Sequence, residues 1–255
     1  MRFSPRKLVL GTLCLLVFIL IWKLVTDAKL ISPIFFPGPK RTLTALVGGV
    51  AGGDLLWQTL QTIQRMLLGW LLASIVGVFL GALVGVSRQA RVYIAPTLEL
   101  LRPLPASAMI PIAIAFFGFT EHMVLVVVAF GALWPMLLAT IHGFASMEPR
   151  LYEVSRMLGL SRTQVIWKLA LPSAMPMILS SMRLGLTISL ILSVVGEMLA
   201  SRDGLGQSIL LASRTFRAQE LFAGIVLLGL IGLVSSRLLS WLESRLLTWK
   251  TGRRR

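Results

Sequence analysis

A chain of 255 residues that is 56% hydrophobic and only 14% charged cannot hide its apolar surface in one water-soluble core. Average soluble domains are about 25% charged, so this composition, with a mean hydropathy of +0.85, excludes an ordinary soluble protein and points to a polytopic membrane protein. The formal net charge of +15 needs a location before it means nucleic-acid binding, because Lys and Arg gather in the cytoplasmic loops of membrane proteins.

A bilayer-crossing helix needs about 20 mostly apolar residues. The first candidate, 8–25, follows Arg2, Arg6 and Lys7 and contains the one cysteine, Cys14. A single thiol leaves no disulfide framework. The run has the layout of a signal peptide, but "TDAKLIS" is a poor cleavage site, so an uncleaved span is expected. "SPIFFPGPK" (32–40) reads as a loop, and 41–64 as a short amphipathic helix at the membrane surface. The second span, 66–86, carries Ala73, Gly77, Gly81 and Gly85, a four-residue spacing of small residues that lets two helix backbones approach closely.

The third span, 101–118, contains Pro103, Pro105 and Pro111. Proline within a span frees backbone carbonyls that need other partners or a polar cavity, so a broken helix beside a translocation path is expected. The fourth span is 122–141, with Pro135 as a kink; the fifth is 175–199 and the sixth 221–242. With the N-terminus in the cytoplasm, the inside segments hold fourteen basic residues (Arg2, Arg6, Lys7, Arg88, Arg91, Arg150, Arg156, Arg162, Lys168, Arg245, Lys250, Arg253, Arg254 and Arg255). The outside segments hold six (Lys29, Lys40, Arg41, Arg202, Arg214 and Arg217). The bias predicts both termini in the cytoplasm, with a contribution from anionic membrane lipid.

The stretch between spans four and five, "EVSRMLGLSRTQVIWKLALP" (153–172), looks like a DNA-reading helix-turn-helix. Such a reader needs a recognition helix free to enter a major groove. Here two spans bracket the segment closely and the second helix runs into the bilayer, so no nucleic-acid partner is expected. Leu151, Val154 and Leu158 fall at i, i+3 and i+7, on one face. Gly159 suits the left-handed end of a helix, Ser161 with Gln164 matches a capping box, and Pro172 breaks the pattern before span five. A structured helix pair of this size suits docking into the groove of a soluble partner.

The same residues resemble the EAA motif of the permease subunits of bacterial ABC importers. Glu153-Val154-Ser155 is followed after three residues by Gly159, and after nine more by Leu169-Ala170-Leu171-Pro172. Glutamate, glycine, leucine and proline hold their spacing, whereas Val154 and Ser155 stand where the motif has alanines. "LRPLPASAMIPIAIAFFG", "GALWPMLLAT" and "GEMLASRDGLGQSI" are similar to the nitrate/sulfonate/taurine-type permeases, except that Ala106 and Met109 replace a usual proline and tryptophan. The resemblance implies an all-α fold of six membrane helices, five in the core unit plus an N-terminal span. It divides the chain into an N-terminal region, 1–54, a permease domain, 55–246, and a basic tail, 247–255. It also implies a coupling helix at about 149–159, with Leu151, Glu153, Val154, Ser155, Leu158, Gly159 and Pro172 serving the ATPase contact.

No P-loop segment, G-x-x-x-x-G-K-[ST], occurs. The chain is therefore expected to bind no cofactor and not to be an enzyme. ATP with magnesium is expected on a partner ATPase dimer. The further implied partners are a second permease copy, in a homodimer, and a periplasmic solute-binding protein. The implied cargo is a small solute, such as a sulfonate, nitrate-like or organic anion, and the implied location is the inner membrane. A stand-alone secondary transporter is the alternative, although such proteins usually show repeated halves.

Charged residues within spans are costly and often functional. Arg102, Arg183 and Glu197 are the candidates for the translocation path. Arg183 also suits an inter-helix pair, and Glu197 also suits packing against the turn "SRDGLG" (201–206). Arg65 and Glu121, near outer span ends, are placed to snorkel toward water. His122 and His142 stand alone, and no cluster has metal-ligand spacing.

Overall fold

The structure, a computed structural model, describes residues 5–247, and these form helices and connecting turns with no strand among them. Arg2 and the basic residues Lys250, Arg253, Arg254 and Arg255 lie outside the described residues. In chain order the helices are α1 (Pro5–Asp27), α2 (Pro39–Ala51), α3 (Asp54–Val86), α4 (Arg88–Leu101), α5 (Ile110–Phe117), α6 (Glu121–Ala145), α7 (Pro149–Met157), α8 (Arg162–Val165), α9 (Leu171–Ala200), α10 (Leu205–Arg214) and α11 (Ala218–Leu246). Five helical stretches are long and apolar enough to cross a membrane, and the bent pair α4–α5 makes a sixth.

The core is built from α3, α6 and α9. α6 is central: 61% of its apolar window is buried, against 17% for α11 and none for α1. Small residues make this packing possible. A Cβ built on Gly81 would lie 2.6 Å from both the Leu137 carbonyl oxygen and Thr140 Cβ, and one on Gly77 would lie 3.1 Å from Met136 Cβ. Gly85 meets Ile141 and Phe144 in the same way, while Ala73 packs with Ala132 and Met136. The four-residue spacing therefore does bring two backbones together, and α6 is the partner. Trp70 on α3 adds a tie to α9 by donating its indole N–H to the Met182 carbonyl at 2.8 Å.

Several boundaries depart from the sequence expectation. Residues 55–64 do not belong to a surface helix. A separate helix, α2, ends at Ala51, and after Gly53 (φ +88°) the long α3 begins at Asp54 and runs 33 residues. At 1.5 Å per residue that is about 50 Å, well beyond a hydrocarbon core of about 30 Å. The third span is broken as expected, with α4 and α5 meeting at 80° across Pro103 and Pro105. α6 stays one helix through Pro135.

Pro172 does not stop the helix before span five. A continuous helical body runs Arg162–Ala200, with a π-turn at Ile166–Ala170. There the Leu171 N–H donates to the Ile166 carbonyl five residues back. Pro172 has no N–H to give to the carbonyl four residues before it, and the wider turn immediately ahead absorbs that missing bond. The amphipathic α10 was not expected; it fills the segment between spans five and six.

Candidate functional site

At one end of the bundle the helix pair α7–α8 projects from between α6 and α9. α7 starts on Pro149, whose fixed φ suits a first helical position. Leu151 packs against the cluster of Phe144, Met147, Ala170, Ala174 and Ile178, and Ser155, one turn on, is 4% exposed. Glu153 is exposed, as are Val154, Met157 and Leu158. The expected single stripe of Leu151, Val154 and Leu158 is thus split. α7 rests on the core along its 151/155 row, and the helix ends at Met157, so Leu158 (ψ 1°) has left the helical register.

The turn is a Schellman motif. The Gly159 N–H donates to the Arg156 carbonyl at 3.1 Å and the Leu160 N–H to the Ser155 carbonyl at 3.0 Å. Gly159 sits at φ +62°, the left-handed region that disfavours side chains. Ser161 then caps α8: its Oγ accepts from the Gln164 N–H at 3.3 Å, and Gln164 Oε1 accepts from the Ser161 N–H at 3.0 Å. Both signals were readable from residue type and spacing. Pro172 is half-buried at the second position of α9.

At the opposite end of the bundle stands a buried polar node. Glu197, three residues before the end of α9, has no exposed surface. Its Oε1 accepts from Arg65 Nη1 at 3.0 Å, and its Oε2 accepts from the Thr62 hydroxyl and from the Gly206 N–H, both at 2.9 Å. Thr62 Oγ1 in turn accepts the Leu205 N–H at 2.9 Å. Arg65 Nη1 also donates to the Asp203 carbonyl. Its Nε and Nη2 form a fork on Glu121 at 2.6 and 2.7 Å, and Arg202 Nη2 donates to the Phe119 carbonyl at 2.6 Å.

Arg65 and Glu121 therefore do not snorkel. The Arg65 side chain is 5% exposed and serves two carboxylates, of which only Glu121, at 47%, reaches solvent. A buried guanidinium needs this kind of complete, geometrically matched pairing.

Of the three residues expected along the path, Glu197 lies inside this node. Arg183 pairs with Glu243 of α11. Arg102 caps α4 at the 80° break and is exposed. His142, read as isolated, stands 3.4 Å from Glu99. Thr62 and Glu243 were not singled out from sequence, since nothing local marks their partners, whereas Gly206 lies in the turn 201–206 against which Glu197 was expected to pack. Beside the node, α2, the start of α3, α10 and the start of α11 enclose a groove of about 880 Å³, lined by Arg41, Asp54, Gln58, Ser208, Leu211 and Arg217 among others.

Solved structures of ABC transporters share this fold. The inward-facing MetNI methionine transporter aligns with a TM-score of 0.64 at 20% identity, covering 76% of this chain and 94% of that one. An amino acid ABC transporter solved with histidines gives 0.61 at 18% identity, covering 79% and 96%.

The family described as binding-protein-dependent transport system inner membrane component matches residues 73–248, and the chain belongs to that family. Among curated relatives, a permease protein named for aliphatic sulfonates transport, SsuC of Bacillus subtilis, is 32% identical over 87% of this chain and 80% of its own length. The taurine transport system permease protein TauC of Escherichia coli is 30% identical over 90% and 85%. The nitrate import permease protein NrtB of Leptolyngbya laminosa is 32% identical over 72% and 66%.

The protein is thus the permease subunit of an ABC importer, a multi-span inner-membrane protein and not itself an enzyme. Such a subunit works with an ATPase and a solute-binding protein.

Proposed function

We propose that α7 and its turn at Gly159 are the coupling element that docks on the partner ATPase, and that two copies of this chain form a homodimer around the path. The observation that carries this reading is the exposed apolar tip of Val154, Met157 and Leu158, held rigid by the Schellman turn and seated on the core through Leu151 and Ser155. An apolar helix tip of this kind fits a groove in a soluble partner. Glu153, on the exposed side, supplies a charge at the rim, and Pro172 lies where the helix pair passes into span five. The excess of basic residues in the segments joined at this end supports a cytoplasmic location for it and for both termini. The Arg65 node and the 880 Å³ groove then lie on the outer side.

The cargo proposed is a small oxyanion-bearing solute. The support is that the relatives are named for sulfonates, taurine, nitrate and bicarbonate, each of which carries such a group. Arg102, exposed at the broken third span, is assigned to the path, and Arg183 is placed at its flank through Glu243. Glu197 serves the path indirectly, by fixing the outer end of α9.

The test uses the permease reconstituted with its ATPase and binding protein, with labelled taurine, an alkanesulfonate, nitrate and bicarbonate as probes. Gly159→Val and Glu153→Lys are expected to abolish uptake of whichever probe the wild type carries while ATP hydrolysis continues and the protein stays inserted. Normal uptake by both variants would refute the coupling role.

A further inference from the structure

Three features at the outer end of the bundle have no part in docking an ATPase. They are the node around Arg65 and Glu197, the helix α10, and the groove that α10 walls. α10 is ten residues long, too short to hold a position by itself, and its ends lie in turns. Its N-terminus is nevertheless fixed by three separate bonds to side chains of two spans. The Leu205 N–H goes to Thr62 of α3, the Gly206 N–H to Glu197 of α9, and the Asp203 carbonyl receives Arg65 of α3.

The first two of these N–H groups belong to the first turn of α10, where no intrahelical acceptor exists. The backbone also approaches closely. A Cβ on Gly206 would lie 3.0 Å from Glu197 Cβ, and one on Gly204 would overlap the Glu197 carboxylate. Glu197 and Leu205 have no exposed surface and Arg65 almost none, so water is in no position to replace these bonds.

Glu121 differs from the rest. It is half exposed, touches Arg65 alone within the node, and makes no bond to α10. The node therefore has a sealed side, which grips α10, and a wet side, which faces α6.

We propose that the sealed side of this node carries α10 as a rigid extension of α3 and α9, so that movements of those spans during the ATPase cycle reshape the outer groove. Thr62 is the positioning residue: one hydroxyl holds both the Leu205 N–H and Glu197. The inference rests on the reading of this chain as an importer permease with this end outward. Its consequence is that a small polar change on α3 disconnects the groove from the ATPase without touching either.

The experiment uses the full complex of permease and copurified ATPase in nanodiscs. Cys14 is replaced by serine, and Leu211→Cys, on the groove side of α10 and 48% exposed, reports through its rate of maleimide labelling. With Thr62 present, labelling is expected to differ about fivefold or more between the nucleotide-free and the ATP–vanadate-trapped complex, the lower end of ordinary allosteric coupling. Thr62→Val is expected to lose that difference while ATP hydrolysis persists, and Thr62→Ser, which keeps the hydroxyl, to retain it.

A Thr62→Val complex that keeps the full nucleotide response overturns the proposal, as does a wild-type reporter that never responds. Hydrogen exchange on the unmutated complex gives a second test that needs no variant at Thr62. The Leu205 and Gly206 amides are expected to stay protected in both nucleotide states, and loss of protection in either one overturns the rigid connection. The importer reading fails separately, if the copurified complex hydrolyses no ATP or drives no uptake.

Discussion

Glu197 and Glu121 bind the same guanidinium, yet their surroundings assign them different energetic weight. Glu197 is wholly enclosed and satisfied by three donors; Glu121 has 47% of its side chain in solvent. Removing one partner of a buried ion pair strands the other charge and costs about 3–5 kcal/mol, whereas a half-exposed pair contributes about 0–1 kcal/mol. Glu197→Ala is therefore expected to lower the thermal stability of the detergent-solubilised protein severely, and Glu121→Gln only slightly. Equal losses in a melting experiment would show that the node is not divided in this way. None of this was readable from the chain, because the partners of Arg65 lie 56 and 132 residues away. A charge near a span end reads as snorkelling until its partner is known. Glu197 was better placed for reading, since the turn it was expected to pack against, 201–206, follows it closely in the chain.

At the scale of elements, hydropathy found the five long apolar helices and the bent pair α4–α5, because a window of about 20 apolar residues is a strong signal. It misjudged what lies beyond the hydrocarbon. The first turns of α3 carry Gln58, Thr59, Gln61, Thr62 and Gln64 and read as surface, although they continue the same helix. α10 was missed since ten amphipathic residues that end on Arg214, between Arg202 and Arg217, look like a loop. Pro172 was overread as a break, since the π-turn ahead of it has no signature in residue type. The small-residue row of α3 was read correctly and makes a firm prediction. A methyl on Gly81 meets the Leu137 backbone and Thr140, so Gly81→Ala is expected to force α3 from α6 and to cost about 1–3 kcal/mol, as overpacking does. An unchanged melting temperature would contradict the close packing of the two backbones.

For the molecule as a whole, the charge of +15 is expected to act at the membrane surface. Buried pairs such as Arg65–Glu197 are shielded from salt, whereas the basic residues on the helix-pair side are not. Each such residue near an anionic surface is worth about 1 kcal/mol, and the attraction falls off within a Debye length. Nanodiscs containing phosphatidylglycerol are therefore expected to raise the melting temperature over purely zwitterionic ones, and high salt is expected to erase that gain. A gain that survives high salt would point to specific lipid packing instead. The same bias in basic residues predicts a cytoplasmic side for the helix pair, while the two spans that bracket its helix-turn-helix remove the DNA-binding reading.

Gly159 and Gly81 are the same residue for opposite reasons. Around Gly159 a Cβ meets nothing within 4 Å, and the restriction lies only in the sign of φ, +62°. The position selects handedness and not size. A D-alanine built in there by semisynthesis would fit without strain, although every L residue with a side chain is disfavoured. At Gly81 the limit is volume alone, imposed by the neighbouring helix. Chirality guards the turn between α7 and α8, and bulk guards the interior of the bundle.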